Sequence, residues 1–145
     1  MLVEGVRKQQ FTRESGNPNP VAKDEAMALV ELLLAEMPCT PDWLSSLVND
    51  EKHRVVTFGG TTSCFRLLTL ILGKEEKITR EDIEHAIDLC VGKTTELSAY
   101  PQQELVFAKL CIMLATSIKY GIKEFDFYWA NGSTLGIATY NELWE

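Results

Sequence analysis

The run Gly59-Gly60-Thr61-Thr62 carries the strongest chemical signal in this chain, because glycines free the backbone and hydroxyl side chains follow at once. Glycine accepts positive φ and lets another group come close to the main chain. Before it, Val55, Val56 and Phe58 supply the apolar content expected of a buried strand; after it, Phe65–Leu72 is apolar enough for a buried helix. Thr61, Thr62 and Ser63 are candidate caps for that helix. Its first N–H groups lack internal partners and lie at the positive end of the dipole, so the corner could hold a phosphate or another anion. A plain strand-to-helix turn is the alternative meaning of the same residues.

Other reactive side chains point less clearly to chemistry. Cys39, Cys64, Cys90 and Cys111 form no C-x-x-C pair, stand in apolar surroundings and read as buried thiols of a reducing, cytoplasmic protein. His53 and His85 are not at ligand spacing with any cysteine, which argues against a metal centre. Arg54 and Arg66 flank the glycine corner and could favour an anion there. Lys109 lies in an apolar run and is expected to snorkel. Glu84 and Asp88, with Asp82, oppose Ile83 and Ile87 and read as a solvated helix face; Glu124 and Asp126 read as the outer face of a strand.

These groups need a scaffold, and 145 residues suffice for one domain, 1–145, with a real core. A composition of 46% hydrophobic and 24% charged residues is that of a folded chain. The net charge of -7, without a basic stripe, argues against nucleic-acid binding. No apolar stretch reaches membrane-spanning length, and Met1–Arg13 lacks the pattern of a signal peptide.

In chain order, residues 1–12 read as an edge strand and 14–20 as a loop. Asn19 and Pro20 then open a helix over about 21–37, with an apolar stripe of Met27, Val30, Leu34 and Met37. Thr40-Pro41 opens a short helix, 42–48, carrying Trp43, Leu44 and Leu47. Gly73 caps the helix after the corner, and 74–77 reads as a loop. Thr79 with Asp82 forms a capping box and Ile78 with Ile83 a hydrophobic staple, opening a helix that Gly92 closes. A second apolar helix spans 104–120. Glu124–Trp129 alternates as a strand, and Asn131-Gly132 reads as a hairpin turn or a glycine loop.

This order resembles the C-terminal lobe of the Ppx/GppA phosphatases, the exopolyphosphatases and guanosine pentaphosphate phosphohydrolases of the actin-like ATPase fold. The resemblance lies in Val55-Val-Thr-Phe-Gly-Gly-Thr-Thr-Ser63, in Lys77-Ile-Thr-Arg-Glu-Asp-Ile83, in Gly121-Ile-Lys-Glu-Phe-Asp-Phe127 and in Asn131-Gly-Ser-Thr-Leu-Gly136. Met1-Leu-Val-Glu-Gly-Val-Arg7 is similar to a strand of the same lobe. It implies an α/β fold, part of an RNase H-like (actin-like ATPase) lobe with a small mixed sheet and several packed helices, lacking the lobe's first two strands. It implies that Gly59, Gly60, Thr61 and Thr62 bind phosphate or nucleotide, that Mg2+ serves the complete enzyme, and that polyphosphate or a phosphate-rich small molecule is the substrate. A homodimer, or association with the missing part, follows as the expected assembly. The family's first phosphate loop, its catalytic acid and its D-x-G-G-G-S-x-E loop have no counterpart here, so the chain supplies at most one wall of a site. A non-catalytic actin-like binding or oligomerisation module is the competing reading. An unrelated α/β domain is a third, to be recognised if the Val55 and Phe125 strands are not neighbours.

Overall fold

A computed structural model describes residues 18–129 apart from 51 and 76. The expected strand at 1–12 and the turn at Asn131-Gly132 lie outside the described residues. Among the described residues the fold is mixed α/β: a small three-stranded sheet packed against helices. Helix α1 is Lys23–Glu36 and α2 is Asp42–Asn49; strand β1, Val56–Phe58, leads through the glycine corner into α3, Cys64–Leu72. Strand β2, Lys77–Thr79, runs directly into α4, Arg80–Cys90; two 3-10 turns, Glu96–Ala99 and Gln103–Leu105, precede α5, Val106–Tyr120, and strand β3, Glu124–Tyr128.

The core is built around α5, whose Val106, Phe107, Leu110, Cys111, Met113, Leu114 and Ala115 are all buried. An apolar surface on nearly every side marks a helix with neighbours all round, and α1, α3 and α4 pack on it. The α1 face differs from the expected stripe. Ala26, Leu29 and Val30 are the buried residues, with Met27, Leu34 and Met37 at the flank, and the helix starts at Lys23 behind an Ala22 cap. Asn19 instead donates through its amide nitrogen to the Gln103 carbonyl, at 3.0 Å, and its peptide bond to Pro20 is cis.

Helix α4 starts as the sequence implies. Thr79 Oγ1 accepts from the Asp82 N–H at 3.2 Å, Asp82 accepts from the Thr79 N–H at 2.8 Å, and Ile78 and Ile83 are fully buried. Gly73 and Gly121 end α3 and α5 in the left-handed region, φ 64° and 71°, where a Cβ would clash with the following carbonyl. Helix α2 forms, yet none of its residues is buried: Trp43 is 64% and Leu47 41% exposed. Thr40 donates to the Lys119 carbonyl at 2.8 Å rather than capping α2.

Two expectations about the sheet are corrected. The strand before the glycines is not buried: Val56 and Thr57 are half-buried, Phe58 is exposed, and among the described residues the order β1-β3-β2 puts it at the edge. Strand β3 takes the middle because its Phe125 and Phe127 are the side chains that α3 covers, Phe65 meeting Phe125 edge-on at 5.1 Å and stacking on Phe127 at 6.2 Å. The run after Gly73 is also not all loop. Lys77–Thr79 pairs antiparallel with β3, placing Ile78 opposite Phe125. Strands β1 and β3 are parallel neighbours, Val56 opposite Asp126 and Phe58 opposite Tyr128, joined by the crossover through α3, α4 and α5.

Candidate functional site

The corner sits at the carboxyl end of β1, beside the carboxyl end of its parallel neighbour β3. Gly59 is buried, Gly60 half-buried, and Thr61 and Thr62 are exposed. The expected left-handed backbone is not the reason for glycine here, since Gly59 has no positive φ. Space is the reason: a Cβ on Gly59 would run into both Cβ and Oγ of Ser63. The turn closes through the Ser63 N–H to the Gly60 carbonyl at 3.1 Å. Ser63, rather than either threonine, caps α3, its Oγ accepting from the Arg66 N–H at 3.1 Å. That leaves Thr61 and Thr62 presenting hydroxyls at the surface, ahead of the first amides of α3, which no helical carbonyl can reach.

The cations arrange themselves differently from their sequence positions. Arg54 lies before β1, away from the corner, and pairs with the Asp126 carboxylate and the Tyr128 hydroxyl, both at 3.4 Å. Arg66 donates to Thr69 Oγ1 at 3.2 Å and holds its guanidinium 4.4 Å from the ring centroid of Trp129, which follows β3 and is 56% exposed. Lys109, expected merely to snorkel, is the cation that reaches the corner. Its Nζ donates to the Thr62 carbonyl at 2.8 Å and to Gln102 Oε1 at 2.7 Å. Its sequence signal is a lysine set between apolar residues near the start of a helix, whose ammonium must find acceptors wherever its stem is packed.

Three of the four thiols are held back from nucleophilic chemistry by burial. Burial pushes Cys90 up to about 11 and Cys111 up to about 12. It also raises Cys64, at the start of α3, although the Lys109 ammonium and a backbone hydrogen bond pull the other way. Thiols held above their ordinary range stay protonated near neutral pH. Cys39 is exposed, which corrects the expectation of four buried thiols.

An open hollow of about 530 Å3 lies at the other end of the sheet, between the end of α2 and the starts of β2 and β3. Its polar side chains are largely paired among themselves: His53 with Asp50 at 3.3 Å, Arg54 with Asp126, and Lys77 with Glu124 at 2.7 Å. None of Gly59, Gly60, Thr61 or Thr62 lines it, so the corner is not a wall of this hollow. Nor do those four residues bring a carboxylate, so the set does not by itself fit Mg2+, which is usually held by one or two carboxylates together with waters and substrate phosphates. Comparisons of the chain with protein-family models and curated proteins, and of its fold with solved structures, return no match.

Proposed function

We propose that the chain is part of a phosphoanhydride hydrolase of the Ppx/GppA kind, built on an actin-like ATPase lobe. Gly59, Gly60, Thr61 and Thr62 supply one wall of its phosphate cleft. The observation that carries this reading is the placement of the corner: it leaves the carboxyl end of a strand paired in parallel with its neighbour, the edge at which open α/β sheets bind ligands. Exposed hydroxyls and helix-start amides then offer donors to phosphate oxygens, and the Lys109 ammonium adds positive charge behind them. The corner binds and orients; the base that directs water and the carboxylates that hold Mg2+ come from the rest of the enzyme. Polyphosphate or a nucleoside polyphosphate is the substrate class, and the cytoplasm the place of action.

Titration of the isotope-labelled chain with tripolyphosphate, followed by amide shifts, tests the reading. Saturable shifts at residues 60–66 that weaken with salt support it. Shifts that are absent there, or confined to His53 and Lys123 at the opposite hollow, overturn it.

One observation favours the second reading, a non-catalytic binding or oligomerisation module. Helix α2 leaves Trp43 and Leu47 exposed. On that reading sedimentation finds a dimer that Trp43→Ser dissociates, and tripolyphosphate leaves the amide spectrum unchanged.

A further inference from the structure

Gln102 is a non-glycine residue in the left-handed region, φ 56° and ψ 54°, a conformation that crowds Cβ against the following carbonyl. Strain of this kind persists only where surrounding contacts hold it in place. The contact here is the hydrogen bond from Lys109 Nζ to Gln102 Oε1, made by an ammonium that also holds the Thr62 carbonyl of the corner. The backbone of Gln102 is tied down separately, its carbonyl accepting from the Leu105 N–H at 2.8 Å in the turn that leads into α5. Lys109 therefore joins three elements in one place: its own helix, the strained turn before that helix, and the last residue of the glycine corner before the α3 cap.

We infer that Lys109 and Gln102 form a latch that positions the phosphate corner. This rests on the reading of that corner given above. Lys109 pins the Thr62 carbonyl on one side, which fixes the direction in which the following amides point. Gln102 keeps the ammonium from swinging into solvent. Preorganisation of this sort matters because donors already aimed at an anion need no rearrangement when it arrives. Both are positioning residues: they act through Thr62 and Ser63.

The test uses two variants of the full chain. Lys109→Met keeps the stem and removes the donors; Gln102→Gly removes the side-chain acceptor and relieves the strain. The readouts are hydrogen exchange at the Ser63 and Arg66 amides, whose bonds to the Gly60 carbonyl and Ser63 Oγ define the corner, and the response to tripolyphosphate. The latch predicts that both variants speed exchange at these two amides by about tenfold, the loss of one charge-assisted hydrogen bond, while amides in α4 are unaffected. Gln102→Gly does so with an unchanged or raised melting temperature, a split that a merely stabilising contact would not produce. Unchanged exchange in both variants, or exchange at these two amides that speeds only in proportion to lost global stability, overturns the latch. Because exchange is read without ligand, failure of the wild-type chain to respond to tripolyphosphate sinks the proposed function and leaves the latch to be judged on exchange alone.

Discussion

Replacing Gly59 by alanine tests why the corner needs its first glycine. The added methyl meets Ser63 at two atoms, Cβ and Oγ, and the two contacts have different remedies. Rotation of the Ser63 side chain clears Oγ but gives up the α3 cap, at about 1 kcal/mol. Cβ is fixed to the backbone, so clearing it requires the turn itself to move, at about 1–3 kcal/mol for an overpacked site. The sum is about 2–4 kcal/mol. With a urea dependence of about 2 kcal/mol per M, the unfolding midpoint falls by about 1–2 M at constant slope. Two second-site changes separate the contributions. Ser63→Ala keeps the offending Cβ and should not rescue Gly59→Ala, whereas Ser63→Gly removes it at a capping cost of a few tenths of a kcal/mol and should restore most of the loss. A Gly59→Ala variant within about 0.5 kcal/mol of wild type, or rescue by Ser63→Ala equal to that by Ser63→Gly, refutes the steric account, given the ~1–3 kcal/mol expected for overpacking.

A chromogenic disulfide reagent at pH 8 should modify Cys39 quickly, Cys64 slowly, and Cys90 and Cys111 only after denaturation, since burial holds those two near 11 and 12. For Asp82, burial pushes its carboxyl up, but hydrogen bonds from Lys74 and Thr79 outweigh this and hold it below the usual range. A depressed folded value means its contribution is present above the unfolded value of 3.8 and fades as the pH falls through the folded one; an acid titration of stability should lose that component below about pH 4 in wild type and show none of it in Asp82→Asn. Arg80 donates to Ser117 Oγ at 2.9 Å and to the Ser117 and Ile122 carbonyls at 3.0 and 3.1 Å, closing the end of α5. Arg80→Met should cost about 2–4 kcal/mol in urea denaturation, and Arg80→Lys should recover little, because an ammonium cannot span all three acceptors.

How much of this fold could be read in the sequence depended on whether the deciding interaction was local. The Thr79–Asp82 box, the Ile78–Ile83 staple and the glycines after α3 and α5 act within one turn, and each formed where the residues placed it. Strand β2 is not legible because it is three residues long with a single apolar side chain, and the side-chain partner of its Lys77, Glu124, is 47 residues away. The α1 face was misjudged for a related reason. Residues 26–34 are apolar apart from Glu31, so the packing of α5, not the periodicity, selects Ala26, Leu29 and Val30. Val55-Val-Thr-Phe58 suits an edge as well as a centre, and only the position of β3 decides which it becomes.

The same distinction governs the corner. That glycines belong at 59 and 60 was visible locally, but the purpose of the first depends on where Ser63 sits after the turn, which no spacing encodes. Charge was still less legible. Arg54 and Arg66 stand nearest to the glycines along the chain, yet one is drawn to Asp126 on β3 and the other to the Trp129 ring beyond it, because β3 is the strand that lies alongside both. Lys109, 47 residues from Thr62, takes the place they were expected to fill. A lysine in the first turn of an apolar helix accounts for that outcome: the stem packs with its neighbours, and the ammonium ends at carbonyls that the adjoining chain presents, as Lys119 at the other end of α5 ends at the Leu34 carbonyl. In this fold those carbonyls belong to Thr62 and Gln102, so the positive charge beside the corner follows from how α5 packs and not from the glycine motif.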